Sequence, residues 1–182
     1  TELLPDKDQF LRMFIRKDAS SSSQIEGTNA SMEDSIEKEN VEPSNNLPQD
    51  VDDILHYIDA LNYGLDRMPN FVFNLRFIRE LHEKLMTGAR STQLSYPGEF
   101  RTSQNWISGT SSANAKYVPP AVLDMKNALS DLEKFINTDD SYLPLIKAAL
   151  IHAQFETIHP FNDGNGRTGR MLITMFLWDR RL

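Results

Sequence analysis

From Pro144 to Leu182 the chain reads PLIKAALIHAQFETIHPFNDGNGRTGRMLITMFLWDRRL. Two apolar stretches flank a polar, glycine-bearing segment. On the first side Leu145, Ile146, Ala149, Leu150 and Ala153 recur at helical spacing, which predicts a helix starting near Pro144 with those residues buried. On the second, Leu172, Ile173, Phe176 and Leu177 predict a helix starting near Arg167. The same periodicity lies further back. Val51, Ile54, Leu55, Ile58, Leu61 and Leu65 form one stripe, and Leu75, Ile78, Leu81, Leu85 and Met86 another. Val122, Met125, Leu129, Leu132 and Ile136 form a third, entered through Pro119-Pro120, where proline suits a helix start. These five segments predict an all-α fold. Asn40 to Asp50, rich in Pro, Asn and Ser, reads as a loop.

Composition narrows the class. A chain of 182 residues makes one domain with a real core, and 40% apolar residues exclude bulk disorder. Cysteine is absent, which removes disulfides, thiolate metal sites and a cysteine nucleophile. No apolar run approaches the ~20 residues that span a bilayer, so the expectation is a soluble, cytoplasmic domain without a membrane partner. Residues 1–53 hold 13 acidic residues against five Lys or Arg, whereas His159 to Leu182 carries four Arg against two Asp. An acidic chain argues against nucleic acid as a partner; a local Arg cluster in it points to a discrete anion such as phosphate. The chain stops at Arg180-Arg181-Leu182 inside an apolar helical pattern, which reads as a fragment.

Residues 159–170, HPFNDGNGRTGR, carry the chemistry. Gly164-Asn165-Gly166 can turn backbone N–H groups into an anion nest at a helix N-terminus. Arg167 and Arg170, three apart, are expected on one face. Cations there oppose the helix dipole and make sense with a multiply charged anion between them. Asp163 would repel that anion unless a divalent cation bridged them, and oxygen-only ligation shared with phosphates is the habit of Mg2+. His159 has the chemistry of a general base near neutrality, and Phe161 is expected to anchor the loop. Four histidines, with His152 and His159 seven apart, also admit zinc, but the absence of Cys and the nearby Arg pair weigh against it. Phe100 to Val118 reads as a β-hairpin, either filler or an open edge able to pair with an extended peptide.

This loop resembles the Fic motif, H-P-F-x-D/E-G-N-G-R-x-x-R, at every specified position. The resemblance implies a Fic-fold helical bundle with a small β-hairpin flap, and AMPylation as its activity: transfer of AMP from ATP to a Tyr, Thr or Ser hydroxyl of a target protein. It implies His159 as general base and Asp163 as the Mg2+ ligand. Phe161, Gly164, Asn165, Gly166, Arg167 and Arg170 would form the nucleotide site. Gln104, Asn105, Trp106, Ile107 and Val118 would belong to the target-docking flap, with a homodimer as a further option. Ser22 to Gly27, SSQIEG, is similar to the family's inhibitory motif through Ser22, Glu26 and Gly27, with Glu26 pairing to Arg170. On local form Ser23 to Glu26 is equally a capping box, repeated at Ser31 to Asp34. The division implied is an N-terminal helical segment, 1–50, bearing the brake, and a catalytic core, 51–182, as one compact unit. Two other readings use the same residues: removal of AMP from a modified target, and a nucleotide-binding regulatory module with little activity. Relatives that transfer phosphate or phosphocholine alter the glycine or Arg positions, which this chain keeps.

Overall fold

The computed structural model describes residues 6–40, 50–68, 72–88, 96–138 and 141–182. Among these residues it is all-helical: α1 (Lys7–Ile25), α2 (Met32–Asn40), α3 (Val51–Arg67), α4 (Leu75–Met86), α5 (Val122–Asn137), α6 (Pro144–Ile158) and α7 (Asn165–Asp179). The loop expected at Asn40 to Asp50 falls almost wholly outside the described residues.

The helix ends follow from local chemistry. The Asp6 carboxylate accepts from Gln9 N at 2.9 Å and caps α1. Ser31 and Asp34 form the expected reciprocal box at the start of α2, with Ser31 N donating to Asp34 Oδ2 and Asp34 N to Ser31 Oγ. Ser23 to Glu26, by contrast, cap nothing N-terminal. They are the last turn of α1, with Glu26 as its C-cap and Gly27 at φ 92 turning the chain out. The Asn74 side chain accepts from Phe77 N and caps α4.

α3 is the hub, packing against α1, α2 and α4 and reaching α7, while α6 lies between α5 and α7. Val51, Ile54, Tyr57, Ile58 and Leu61 of α3 are buried against Leu81 and Leu85 of α4 and Leu172 and Phe176 of α7. Gly64 permits this approach: a Cβ there would overlap Met175 and lie 3.0 Å from Leu81 Cδ2. Ile15 and Ala19 of α1 join the same core, and Tyr57 O–H donates to Asp18 Oδ2 at 3.1 Å across the α1–α3 seam.

One helix face differs from expectation. Leu145, Ile146 and Leu150 of α6 are 67%, 51% and 42% exposed, and Ala149 and Ala153 are also exposed; the core takes Lys147, Ala148, Ile151, Phe155 and Ile158 instead. Ala148, Ile151, Phe155 and Ile158 form a competing apolar row at helical spacing, and Lys147 is accommodated beside it. Its Nζ donates to Thr138 O at 2.6 Å and lies over the rings of Phe135 and Phe176, so its stem packs inside while its charge is satisfied. Among the described residues no helix is long and apolar enough to cross a membrane.

Candidate functional site

The loop between α6 and α7 is built by its own side chains. α6 ends on His159, whose backbone sits in the left-handed region at φ 49. Phe161 is fully buried and its ring stacks on His82 at 3.6 Å and 1°, with Phe100 and Phe155 beside it. The ring anchors the loop and has no face free for a ligand. Asn165 closes the loop on itself: its Oδ1 accepts from Phe161 N at 2.9 Å and its Nδ2 donates to Phe161 O at 2.8 Å. Gly164 is the N-cap of α7 at φ 73, where a Cβ would meet Met86 Sδ at 2.7 Å. The expected three-residue nest is narrower than its sequence suggests. Gly164 alone has positive φ, and Asn165 and Gly166 already belong to the helix. The donors facing outward are therefore the first amides of α7.

The charged groups part company around this helix end. Arg167 is turned inward and is 7% exposed, 3.9 Å from Asp53 Oδ1 of α3 and 3.6 Å from Met86 Sδ, with its Nε buried and unpartnered. Arg170 points toward α1. The two guanidinium groups thus have different neighbours, contrary to the shared face that their spacing suggests. Arg167 is an under-satisfied buried cation at a helix N-terminus, and such a group suits a strong anionic acceptor. Asp163 is half-buried; its Oδ1 accepts from Gly164 N at 2.6 Å, and among the described residues Oδ2 makes no hydrogen bond. No cluster of three or more His, Asp or Glu gathers among these residues. A divalent cation here would accordingly rest on one carboxylate plus ligand oxygens, a donor set that fits Mg2+. His159 is half-buried, and burial first, then the Arg101 charge, holds its imidazole below the usual histidine range despite the opposing Glu156 carbonyl. That shift favours the neutral imidazole, the form able to accept a proton.

Ser22 and Glu26 meet Arg170. Arg170 Nε donates to Ser22 Oγ at 2.7 Å, and Nη2 donates to Ser22 O at 3.1 Å and to Glu26 Oε1 at 2.6 Å. The Glu26 carboxylate also overhangs α7: a Cβ on Gly166 would overlap its Oε1 and lie 3.0 Å from Arg170 Nη1. A carboxylate therefore lies over the first turn of α7, an end of the helix that attracts anions. Gly27 makes the turn that ends α1 directly after it.

The segment from Phe100 to Val118 is not a β-hairpin, and no strand forms there. It is a loop joined by one antiparallel bridge, Ile107 with Tyr117. Ser108 and Gly109 take positive φ, and Asn114 Oδ1 draws in the N–H groups of Thr110 and Ser111, so the tip folds on its own side chains before a ladder can extend. Trp106, Val118 and Gln104 are exposed, Gln104 Nε2 donating to Pro119 O, while Asn105 is half-buried and its Nδ2 donates to Phe161 O and His159 O. Two neighbours of the loop escape sequence reading. His82 Nδ1 accepts from Gly98 N at 2.9 Å, which leaves Nε2–H to donate to Asp163 O at 3.0 Å. Arg101 is buried against main-chain carbonyls on both sides of the loop. The likeness to the family extends to both stretches, Phe100-Arg101 and Leu81 to Leu85, but gives neither residue a role, and their sequence neighbours are mostly polar.

Fold and site together define a helical domain with an arginine-flanked helix N-terminus, and comparison with known proteins gives it a family. The sequence profile described as Fic/DOC family matches residues 72–177, and that of the Fic/DOC family N-terminal region matches residues 1–66. The chain belongs to the Fic/DOC family. It is 31% identical over 129 residues to the protein adenylyltransferase Fic of Aedes aegypti, covering 70% of this chain and 23% of that protein. It is 34% identical over 105 residues to the protein of the same name from Drosophila grimshawi, covering 57% and 20%. The chain thus spans about a quarter or less of the length of these curated relatives. In fold it is similar to a Fic domain-containing signalling protein from Bacteroides thetaiotaomicron, with a TM-score of 0.81 at 21% identity over 98% of this chain and 69% of that one. A Fic family protein from Desulfovibrio desulfuricans gives 0.75 at 22%, over 99% and 51%.

Proposed function

We propose that this chain is a self-inhibited protein adenylyltransferase domain, in which residues 1–50 supply a brake to a catalytic core formed by 51–182. The observation that carries the reading is the α7 N-terminus. A buried, under-partnered Arg167, a half-buried Asp163 and a His159 shifted toward its neutral form surround it, and a carboxylate from α1 stands where a phosphate would go. The names of the family relatives support the same chemistry.

In the reaction proposed, a Tyr, Thr or Ser hydroxyl of a target protein attacks the α-phosphorus of ATP. The new O–Pα bond forms as the bond from Pα to the bridging oxygen breaks, and pyrophosphate leaves with both electrons of that bond. His159 takes the hydroxyl proton. The first amides of α7 and the guanidinium groups of Arg167 and Arg170 hold the phosphates and stabilise the charge that grows on the leaving oxygens. Mg2+ on Asp163 would offset phosphate charge when bound. The exposed flap face around Trp106 and Val118 receives the target segment. With Glu26 on Arg170, that arginine cannot also grip the terminal phosphate in a productive pose.

The direct test uses ATP labelled on the α-phosphate, with Mg2+, and follows label onto this protein or onto lysate proteins. Label that appears with the wild-type or Glu26→Gly protein and vanishes with His159→Ala is the expected result. Release of AMP from a modified protein, with no transfer by any variant, would replace this reading with the reverse reaction.

A further inference from the structure

Arg101 is among the largest fully buried side chains of the protein, 1% exposed. Every acceptor its guanidinium meets is a main-chain carbonyl. Nε donates to His159 O at 3.0 Å, Nη1 to Ser103 O at 3.2 Å, and Nη2 to Pro120 O at 2.5 Å and Ile158 O at 3.5 Å. Its own N–H donates to Pro160 O at 2.8 Å. Among the described residues no carboxylate pairs with it, and burial alone pulls its pKa down.

A buried cation without a counter-ion is strongly unfavourable. The carbonyls at the negative end of α6 offset part of that cost, yet an apolar side chain of similar size would fill the space with none of it. Stability therefore does not explain an arginine here. Reach does. The planar fork joins three separate pieces of chain that a lysine could not span together: the stem entering the flap at Ser103, the stem leaving it at Pro120, and the end of α6 that bears His159.

A second observation points the same way. His159 holds a left-handed backbone, φ 49, that carries a steric cost in any L-residue and persists only where its surroundings impose it. The His159 carbonyl is gripped by Arg101 Nε and by Asn105 Nδ2 at 3.4 Å, both from the flap side. Tyr117 O–H, on the opposite limb of the flap, donates to Thr157 O at 2.9 Å.

We infer that Arg101 is a positioning residue that makes the flap and His159 one rigid body, so that a hydroxyl carried in on the flap meets the base at a set distance. This rests on the adenylyltransferase reading of His159 and the flap. Arg101 touches no residue of the phosphate-binding helix end, so its loss acts on transfer rather than on nucleotide binding.

The test places Arg101→Lys and Arg101→Met in Glu26→Gly protein, with three measurements: amide hydrogen exchange, Mg·ATP affinity by calorimetry, and transfer of α-phosphate label. For Arg101→Lys, exchange rises together in residues 102–120 and 159–163 while α3 and α4 keep their protection. Affinity for Mg·ATP is unchanged, and transfer at saturating ATP slows by about ten- to a hundredfold, the scale of a misplaced reacting group. Arg101→Met extends the comparison where it folds; Arg101→Lys keeps the charge and decides the question alone. Exchange that rises evenly over the whole chain, affinity that falls in step with transfer, or transfer at the parent's rate would each overturn the inference. Should the Glu26→Gly parent transfer no label, the adenylyltransferase reading fails, and the exchange pattern still decides whether Arg101 ties the two segments.

Discussion

Replacing Glu26 releases Arg170, and the structure sets how much that should be worth. The contact is a charge-assisted hydrogen bond of 2.6 Å with side chains 42% and 20% exposed. Fully exposed pairs contribute roughly 0.2–1 kcal/mol, and hydrogen bonds to charged groups about 1.5–3 kcal/mol. The half-exposed geometry falls between, at about 1–2 kcal/mol, or a population shift of about 5- to 30-fold. Ser22 continues to hold Arg170 through Oγ and its carbonyl, so the arginine stays near its place when Glu26 is gone. Glu26→Gly is therefore expected to raise the initial rate of AMP transfer by about 5- to 30-fold, and Glu26→Gln, which keeps the backbone and removes the charge, by a smaller factor. Glu26 lies at the C-cap with φ −88, where glycine costs at most about 1 kcal/mol of helix stability; a melting curve separates that effect from the rate. The assay is initial-rate label transfer from α-labelled ATP, with His159→Ala as the zero. Equal rates for wild type, Glu26→Gln and Glu26→Gly, with ATP bound equally by all three, would show that Glu26 only ends α1.

Three further outcomes follow from the same geometry. His82 is fully buried, and desolvation lowers its pKa from 6.5 to about 4. The unfolded chain then binds the extra proton first, so stability present above pH 6.5 is lost as pH falls toward 4. The loss is at most about 3 kcal/mol, and urea titrations without Mg2+ or nucleotide should show it shrinking in His82→Gln. Asn165→Ala leaves the Phe161 N–H unpaired in the core, while the carbonyl keeps Asn105 Nδ2, and should cost roughly 1–3 kcal/mol, read as a lower urea midpoint, with AMP transfer lost as well. Gly64→Val drives side-chain atoms into Met175 and Leu81 at the α3–α4–α7 junction and should cost about 1–3 kcal/mol, again by urea denaturation, with Mg·ATP affinity unchanged in the folded fraction.

How far sequence reaches is decided by the kind of contact involved. The stripes of α3, α4, α5 and α7 were readable because one apolar row, repeated at helical spacing, faced one core. The loop was readable as a motif, through its resemblance to a family, and not through its contacts: the bonds by which Asn165 closes on Phe161 were not foreseen, and the expected three-residue nest narrows to Gly164. α6 defeats the logic of stripes because two apolar rows compete. The row beside Lys147 wins, and Thr138 O and two aromatic rings accept the lysine from elements that periodicity does not count. Arg167 follows the same rule: three residues from Arg170 it shares a sequence face, yet Asp53 on α3 and Met86 on α4 draw it inward. The bridge at Ile107 and Tyr117 stops short of a hairpin because Asn114 spends the tip's amides locally.

Arg101 and His82 mark the far end of this scale. Each bonds only to main-chain groups, on segments as far as 58 and 81 residues away. A main-chain carbonyl is offered by every residue alike, so no side-chain identity at His159, Pro120 or Asp163 announces its partner. The sequence neighbours of the two are mostly polar, Glu80, Glu83 and Lys84 beside His82 and Glu99, Thr102 and Ser103 beside Arg101, so local pattern marks neither as buried. Burying such a group is favourable only if its hydrogen bonds are met, so each one, once found buried, marks a place where distant backbone converges. In this chain both places lie against the same loop, Arg101 at its His159 end and His82 at its Asp163 end. The loop is held at its two ends by side chains from outside it and at its centre by its own Asn165 and Phe161. On the proposed function, a phosphate arriving at α7 would meet donors already in position, and the Glu26 carboxylate above them would be the part that has to move.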